Sequence, residues 1–183
     1  MTFSNKNLIL IELNLYLPYL FKYLLNHRIT VIDEIDIAIL EILQKNGRTR
    51  RNDLAERVGL SIPSVSERLR KLEVGEYITG YAAIVNYKKL GKDITAFITV
   101  AIDSSKHYHS FVEHANATDE ILECHATTGD GSHMLKIRTE NTTTLERLLA
   151  KIQSWTGVTG TRTHLVLSTS KESSKIKLSH SKS

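Results

Sequence analysis

Residues 46–73 read NGRTRRNDLAERVGLSIPSVSERLRKLE. The stretch predicts two short helices joined by a tight corner. Leu54, Ala55 and Val58 fall at i, i+1 and i+4 and make one apolar stripe. Thr49 stands where an N-cap is expected, and Gly59 where a helix needs a left-handed residue to stop. Leu60 plugs the corner. Ser61 suits the N-cap of the second helix, whose first turn tolerates Pro63. Val65, Leu69 and Leu72 recur at i, i+4 and i+7 and face inward, which leaves Ser64, Ser66, Glu67, Arg68, Arg70 and Lys71 on the other faces. A short corner containing glycine between two helices is the helix-turn-helix pattern. A helix carrying a row of hydroxyls and cations fits the major groove of DNA.

The flanks complete a small bundle. Ile35, Ile39, Ile42 and Leu43 have helical spacing from Asp33 to Lys45, and Asp33, Glu34 and Asp36 suit the positive end of that helix. Gly47 is the expected stop. Beyond Glu73, residues 77–86 (YITGYAAIVN) are rich in strand-forming types and predict a wing. Cations gather in the same segment: Arg48, Arg50, Arg51, Arg57, Arg68, Arg70 and Lys71 stand against Asp53, Glu56, Glu67 and Glu73, in a chain whose formal net charge is +4. Clustered cations supply the salt-dependent part of DNA affinity. The same helix pair is also compatible with a merely solvated basic surface.

The chain has 183 residues, 41% hydrophobic and 24% charged, which is ordinary for a globular protein of one or two domains. Its one cysteine, Cys124, excludes an intrachain disulfide framework and fits a reducing, cytoplasmic setting. Residues 1–30 place Leu10, Leu13, Leu17, Leu20 and Leu24 on one helical stripe, interrupted by Pro18. Glu12, Asn14 and Lys22 break the apolar run and argue against a membrane anchor. This extension is either an extra packed helix or the product of a start site upstream of the natural one near Val31.

The second half has a different pattern. Residues 95–102 (TAFITVAI), 121–128 (ILECHATT), 133–139 (HMLKIRT) and 160–169 (GTRTHLVLST) predict strands, and residues 108–117 and 144–155 predict helices. Phe111, Val112 and Ala115 line the first helix, and Leu145, Leu148, Leu149 and Ile152 the second. The order βαββαβ argues for a ferredoxin-like sandwich. Two helices cover one face of its sheet, so the other face calls for a partner and the domain is expected to dimerise. From Lys171 the chain is rich in Ser and Lys and is expected to be disordered. The fold class is therefore α+β: a winged helix-turn-helix with its hinge at 31–90, a ferredoxin-like domain at 91–170 and a tail at 171–183.

No Gly-rich phosphate loop, nucleophile elbow or useful carboxylate pair is present, so no enzyme activity is expected. His107, His109, His114, Cys124 and His125 form no clean tetrahedral set, so neither a metal nor a cofactor is expected.

The chain resembles the Lrp/AsnC (leucine-responsive and asparagine-responsive) transcriptional regulators over about residues 31–170. The resemblance rests on Ile35-Asp36, Ile39-Leu40, Gly47-Arg48, Leu54-Ala55, residues 58–61 (VGLS), residues 67–73 (ERLRKLE) and residues 78–81 (ITGY). In the second half it rests on residues 123–125 (ECH), 128–130 (TGD), 135–138 (LKIR) and 161–163 (TRT). It implies a winged helix-turn-helix followed by a ferredoxin-like domain that pairs into dimers, often within larger rings, and that binds a small effector, usually an amino acid. Two departures stand out. The family places glycine before the wing strand, where this chain has Glu76, with Gly75 one position earlier. The family's effector loop often reads Gly-Asp-aromatic-Asp-aromatic, whereas here it reads Gly129-Asp130-Gly131-Ser132-His133, with no carboxylate at Ser132 for an effector's ammonium. Haem-pathway decarboxylases with a similar pair of domains are the alternative; the basic helix face argues against them.

On this reading the DNA contacts come from Ser61, Ser64, Ser66, Arg68 and Lys71 on the second helix. Arg68 is the long cation of choice, and Arg48, Arg50 and Arg51 meet phosphates. The effector contacts come from Thr128, Gly129, Asp130, Gly131 and Ser132 on one edge and Thr161, Arg162 and Thr163 on the other. Asp130-Gly131 also reads as a plain hairpin turn needing positive φ. Arg162 either takes a ligand carboxylate or pairs with Glu123 across the sheet. The expected partners are double-stranded DNA, a second copy of the chain and a small-molecule effector, with no membrane.

Overall fold

The computed structural model describes residues 32–129 and 131–178. The leucine-striped segment 1–30, Asp130 and residues 179–183 lie outside them. The chain divides into two units: the first takes it through Ala83 and again from Ser173, and the second runs Ile84–Glu172.

The first unit contains helices α1 (Glu34–Lys45), α2 (Arg51–Val58) and α3 (Ile62–Val74). Asp33 caps α1 in a reciprocal box: the Asp36 N–H donates to Asp33 Oδ1 at 2.9 Å, and the Asp33 N–H donates to Asp36 Oδ2 at 3.2 Å. Gly59 is left-handed (φ +68) and ends α2, while the Leu60 N–H reaches back to the Ala55 carbonyl at 3.0 Å. Ser61 caps α3, with Pro63 in the first turn. Ile39, Leu40, Leu54, Ala55, Val65, Leu69 and Leu72 form the buried core of this unit.

Several expectations are corrected. Thr49 is not the cap of α2. Its hydroxyl donates to the Asn46 carbonyl at 2.7 Å, and Arg50 holds the cap position with no side-chain cap bond. Asn46, not Gly47, closes α1. Residues 77–86 form no strand; among the described residues the four strands all belong to the sheet of the second unit. Tyr81 instead ties this run back to α3, its hydroxyl donating to Glu73 Oε1 at 3.0 Å. Glu76, at the position where the resemblance expects glycine, takes the left-handed conformation (φ +58). Residues 171–178, expected to be disordered, make defined contacts: the Ile176 N–H donates to Gln44 Oε1 at 2.8 Å, and Leu178 packs on the first unit's core. Composition misjudged this stretch because two apolar residues suffice to seat it.

Arg68, expected as a DNA contact, makes ion pairs within this unit. Its Nη1 donates to both Asp33 oxygens at 2.8 and 2.9 Å and to Asp36 Oδ1 at 2.8 Å, so the guanidinium clamps α3 to the start of α1.

The second unit contains β1 (Ile94–Ile102), α4 (Tyr108–Asn116), β2 (Ile121–Ala126), β3 (His133–Thr139), α5 (Thr142–Gln153) and β4 (Val158–Leu165). The sheet is antiparallel, in the order β2-β3-β1-β4. Ala96, Ile98, Val100, Leu135 and Ile137 pack from the sheet onto Phe111, Ala115, Leu148, Ile152 and Trp155. Alternation puts Phe97, Thr99, Met134, Lys136, Arg138, Arg162 and His164 on the opposite face. That face is not wholly bare: the Val166 N–H donates to the Thr95 carbonyl at 2.9 Å, and the chain then crosses β1 to bring Glu172 onto Lys136 and Arg138. Glu123 and Arg162 sit on opposite edges of the sheet and do not pair; Glu123 meets Lys136 at 3.0 Å.

His133 is buried (2% exposed) against Tyr108 and Phe111, with ring centroids 4.9 and 4.8 Å away. Burial lowers its pKa from the ordinary 6.5.

Three predictions follow from these contacts. Arg68→Ala should lower the stability of the first unit by about 1–2 kcal/mol, less than a fully buried pair because Asp33 is half exposed; chemical denaturation measures it. Glu76→Gly should raise stability by about 1 kcal/mol by relieving the left-handed backbone, read from the same curves. The unfolded chain protonates His133 before the folded one does, so stability should fall as pH drops below about 6.5 toward the lowered folded pKa. In His133→Gln that part of the pH profile should flatten.

Candidate nucleic-acid interface

On α3 the buried row Val65, Leu69 and Leu72 fixes the rotation of the helix and turns Ser61, Ser64, Glu67, Arg70 and Lys71 outward. The first turn is the most polar part of this face. Ser61 Oγ accepts from the Ser64 N–H at 3.3 Å, and the two hydroxyls lie 2.8 Å apart. Ser66 is half-buried on the flank. Further along, Glu67 takes up the cations: Arg70 Nη2 and Nε meet its carboxylate at 2.8 and 2.9 Å, and Lys71 Nζ lies 4.0 Å away. Both pairs are exposed and are worth little to stability, but they lower the positive potential of this face.

The cation excess appears elsewhere. Arg48, Arg50 and Arg51 are exposed, and among the described residues none is in an ion pair with a carboxylate. They surround the start of α2, where no side chain caps the first amides. Uncapped amides at the positive end of a helix, flanked by guanidinium groups, attract phosphate oxygens. Arg51 lines a cleft of about 200 Å³ with Leu43, Gly47, Glu73 and Tyr81, so the start of α2 lies beside the end of α3. The predicted set thus divides. Arg48, Arg50, Arg51, Ser61, Ser64 and Lys71 are displayed, Ser66 is half-shielded, and Arg68 is engaged inside the unit.

The second candidate set converges on the end of β1. Ser132 donates to the Val100 carbonyl from its N–H at 3.0 Å and from its hydroxyl at 3.3 Å. Thr161 and Arg162 pair with Val100 and Thr99 from the other side. Thr161 Oγ1 accepts from Gln153 Nε2 at 2.8 Å, Thr163 is half-buried, and Arg162 is exposed. Thr128 and Gly129 are exposed at the hairpin, Gly129 with φ +113; Asp130 is outside the described residues. Gly131 is tightly packed. Its constraint is space, since a Cβ there would collide with the Thr99 methyl and lie 3.0 Å from the Val100 carbonyl oxygen.

Sequence reasoning missed one cluster, Lys136, Arg138 and Glu172. The alternation in residues 133–139 would have placed both cations on one face, but the carboxylate that joins them arrives from the tail. Among the described residues no group of His, Cys, Asp and Glu could hold a metal ion, and no helix is long and apolar enough to cross a membrane.

Comparison with known proteins agrees with this architecture. Residues 32–79 match a family model described as winged helix-turn-helix DNA-binding, and residues 95–176 match the Lrp/AsnC ligand binding domain. The HTH-type transcriptional regulator FL11 of Pyrococcus abyssi is 37% identical over 145 residues, 79% of this chain and 95% of its own length. The leucine-responsive regulatory protein of Escherichia coli is 33% identical over 148 residues, 79% of this chain and 90% of its own. Among solved structures, a Neisseria meningitidis transcriptional regulator, NMB0573, in complex with L-Met superposes with a TM-score of 0.77 at 29% identity, covering 80% of this chain and 97% of that one. Escherichia coli AsnC gives a TM-score of 0.72 at 33% identity, covering 78% and 96%. The matched models describe a DNA-binding and a ligand-binding domain, and the decarboxylase alternative draws no support from them. The chain belongs to the Lrp/AsnC family of transcriptional regulators, which are not enzymes.

Proposed function

We propose that this regulator reads DNA with the N-terminal half of α3 while Arg48, Arg50 and Arg51 hold the backbone. The observation that carries the reading is the uncapped start of α2 with three exposed arginines, beside a helix whose first turn displays Ser61 and Ser64. The serines, short and neutral, suit contacts to base edges or nearby phosphates; the arginines suit phosphates alone. Lys71 adds a weaker cationic contact because Glu67 shares its charge. Arg68 supports the helix from behind.

Two copies acting together fit the second unit. Phe97 and Met134, each 37% exposed, stand on the sheet face that no helix covers. Burying that face in a second copy would place two α3 helices in symmetric positions. The Thr128–Ser132 hairpin and the Thr161–Thr163 edge are the place for a small effector, by analogy with the L-Met complex of the Neisseria regulator. Ser132, lacking the carboxylate common in the family, points to an effector other than the usual amino acid.

Sequencing genomic fragments bound by the purified protein should return an inverted repeat with half-sites about one helical turn apart. Arg50→Ala with Arg51→Ala should bind the recovered site more weakly at every sequence and reduce the slope of log K against log salt by roughly two units. Absence of any enriched site would overturn the DNA reading; an unchanged slope would remove these two arginines from it.

A further inference from the structure

From Ser173 the chain belongs again to the first unit. Ser173 Oγ accepts from the Lys175 N–H at 3.1 Å and closes a local turn. The Ile176 N–H then donates to Gln44 Oε1 at 2.8 Å. Leu178, half-buried, packs on the core shared by α1, α2 and α3. One hydrogen bond and one apolar contact thus seat this short segment on the helical bundle.

The seated segment carries two cations. Lys175 and Lys177 are exposed, and among the described residues neither is ion-paired with a carboxylate. The amide bonded to Gln44 joins Lys175 to Ile176, so Lys175 stands directly on the anchored peptide. Lys177 lies between that anchor and the packed Leu178. The anchor is also close to the arginines at the start of α2. Gln44 is in the last turn of α1, and Arg48 follows it closely in the chain. Even a fully extended connection would leave their Cα atoms no more than about 14 Å apart. The Thr49 N–H, donating to the Asn46 carbonyl at 3.1 Å, folds that connection back on itself.

We propose that the seated tail is part of the DNA-binding surface, with Lys175 and Lys177 meeting the phosphate backbone beside Arg48. This rests on the reading of α3 and its arginines given above, and it adds residues that lie outside the helix-turn-helix sequence. Lysine is a point charge with three rotatable donors, suited to a backbone oxygen and not to a base edge. The two lysines therefore add affinity and salt dependence without adding sequence preference. Seating is what makes them effective. Ile176 and Leu178 order the segment when the unit folds, so that ordering cost does not fall on DNA binding.

The test is fluorescence anisotropy of the full chain with a fluorescein-labelled, mixed-sequence DNA duplex over a series of salt concentrations. Lys175→Ala with Lys177→Ala should weaken binding and reduce the slope of log K against log salt by about one to two units for each subunit bound. Leu178→Ser keeps both lysines but loosens the segment, and it should weaken binding severalfold at low salt with the net charge unchanged. Acetic anhydride footprinting should show Lys175 and Lys177 protected by the duplex in wild type and modified in Leu178→Ser. An unchanged slope in the double lysine variant, or full affinity with both lysines still protected in Leu178→Ser, would each overturn the proposal. If Arg50→Ala with Arg51→Ala weakens binding while the tail variants do not, the tail assignment falls and the reading of α2 and α3 stands. If the wild-type chain does not bind the duplex at all, both fall together.

Discussion

The display of α3 depends on one packing constraint: Val65, Leu69 and Leu72 must leave water together. All three are nearly or fully buried against α1 and α2. Burying a side chain of this size is worth about 1.5–3 kcal/mol, more than any exposed ion pair on the helix. The rotation of α3 is therefore set by apolar contacts, and the polar first turn faces out as a consequence. The Gly59 corner fixes the other variable, the angle at which α3 leaves α2.

Electrostatics then divides the cations by role. Arg68 sits next to Leu69 on the flank of the buried row, within reach of the two carboxylates that cap α1. Its guanidinium is ion-paired to both of them. Glu67 partly neutralises Arg70 and Lys71. The arginines at 48, 50 and 51 lie at a helix start that has no capping side chain, so their charge adds to the field of the exposed amides. Of the seven cations in that segment, Arg68, Arg70 and Lys71 face carboxylates of the same unit, while Arg48, Arg50, Arg51 and Arg57 stay exposed without one among the described residues.

The second unit follows the same logic in a sheet. Strand alternation sends Ala96, Ile98, Val100, Leu135 and Ile137 to the helices and the intervening residues to the other face. On that face Lys136 and Arg138 require counter-charges, and the tail supplies one. Met134 and Phe97 on the same face stay more than a third exposed, and they are the part of it that the proposed second copy would cover.

Much of this was legible in the chain alone. Hydrophobic periodicity located the five α-helices and four strands of the described residues to within a few residues, and Gly59, Ser61 and the order βαββαβ named both folds, because these signals are local. The display of Ser61, Ser64, Arg48, Arg50 and Arg51 was legible for the same reason. The engagement of Arg68 with Asp33 and Asp36, more than thirty residues away, was not. Nor were the missing strand at 77–86, the docking of Ile176 and Leu178, or the meeting of Glu172 with Lys136 and Arg138. Each of these pairs groups remote in sequence, and periodicity carries no information about which distant partner a charge or an apolar side chain will find. Local spacing determined what this protein is built from; only tertiary structure decided which of its cations stay exposed and which are bound to its own carboxylates.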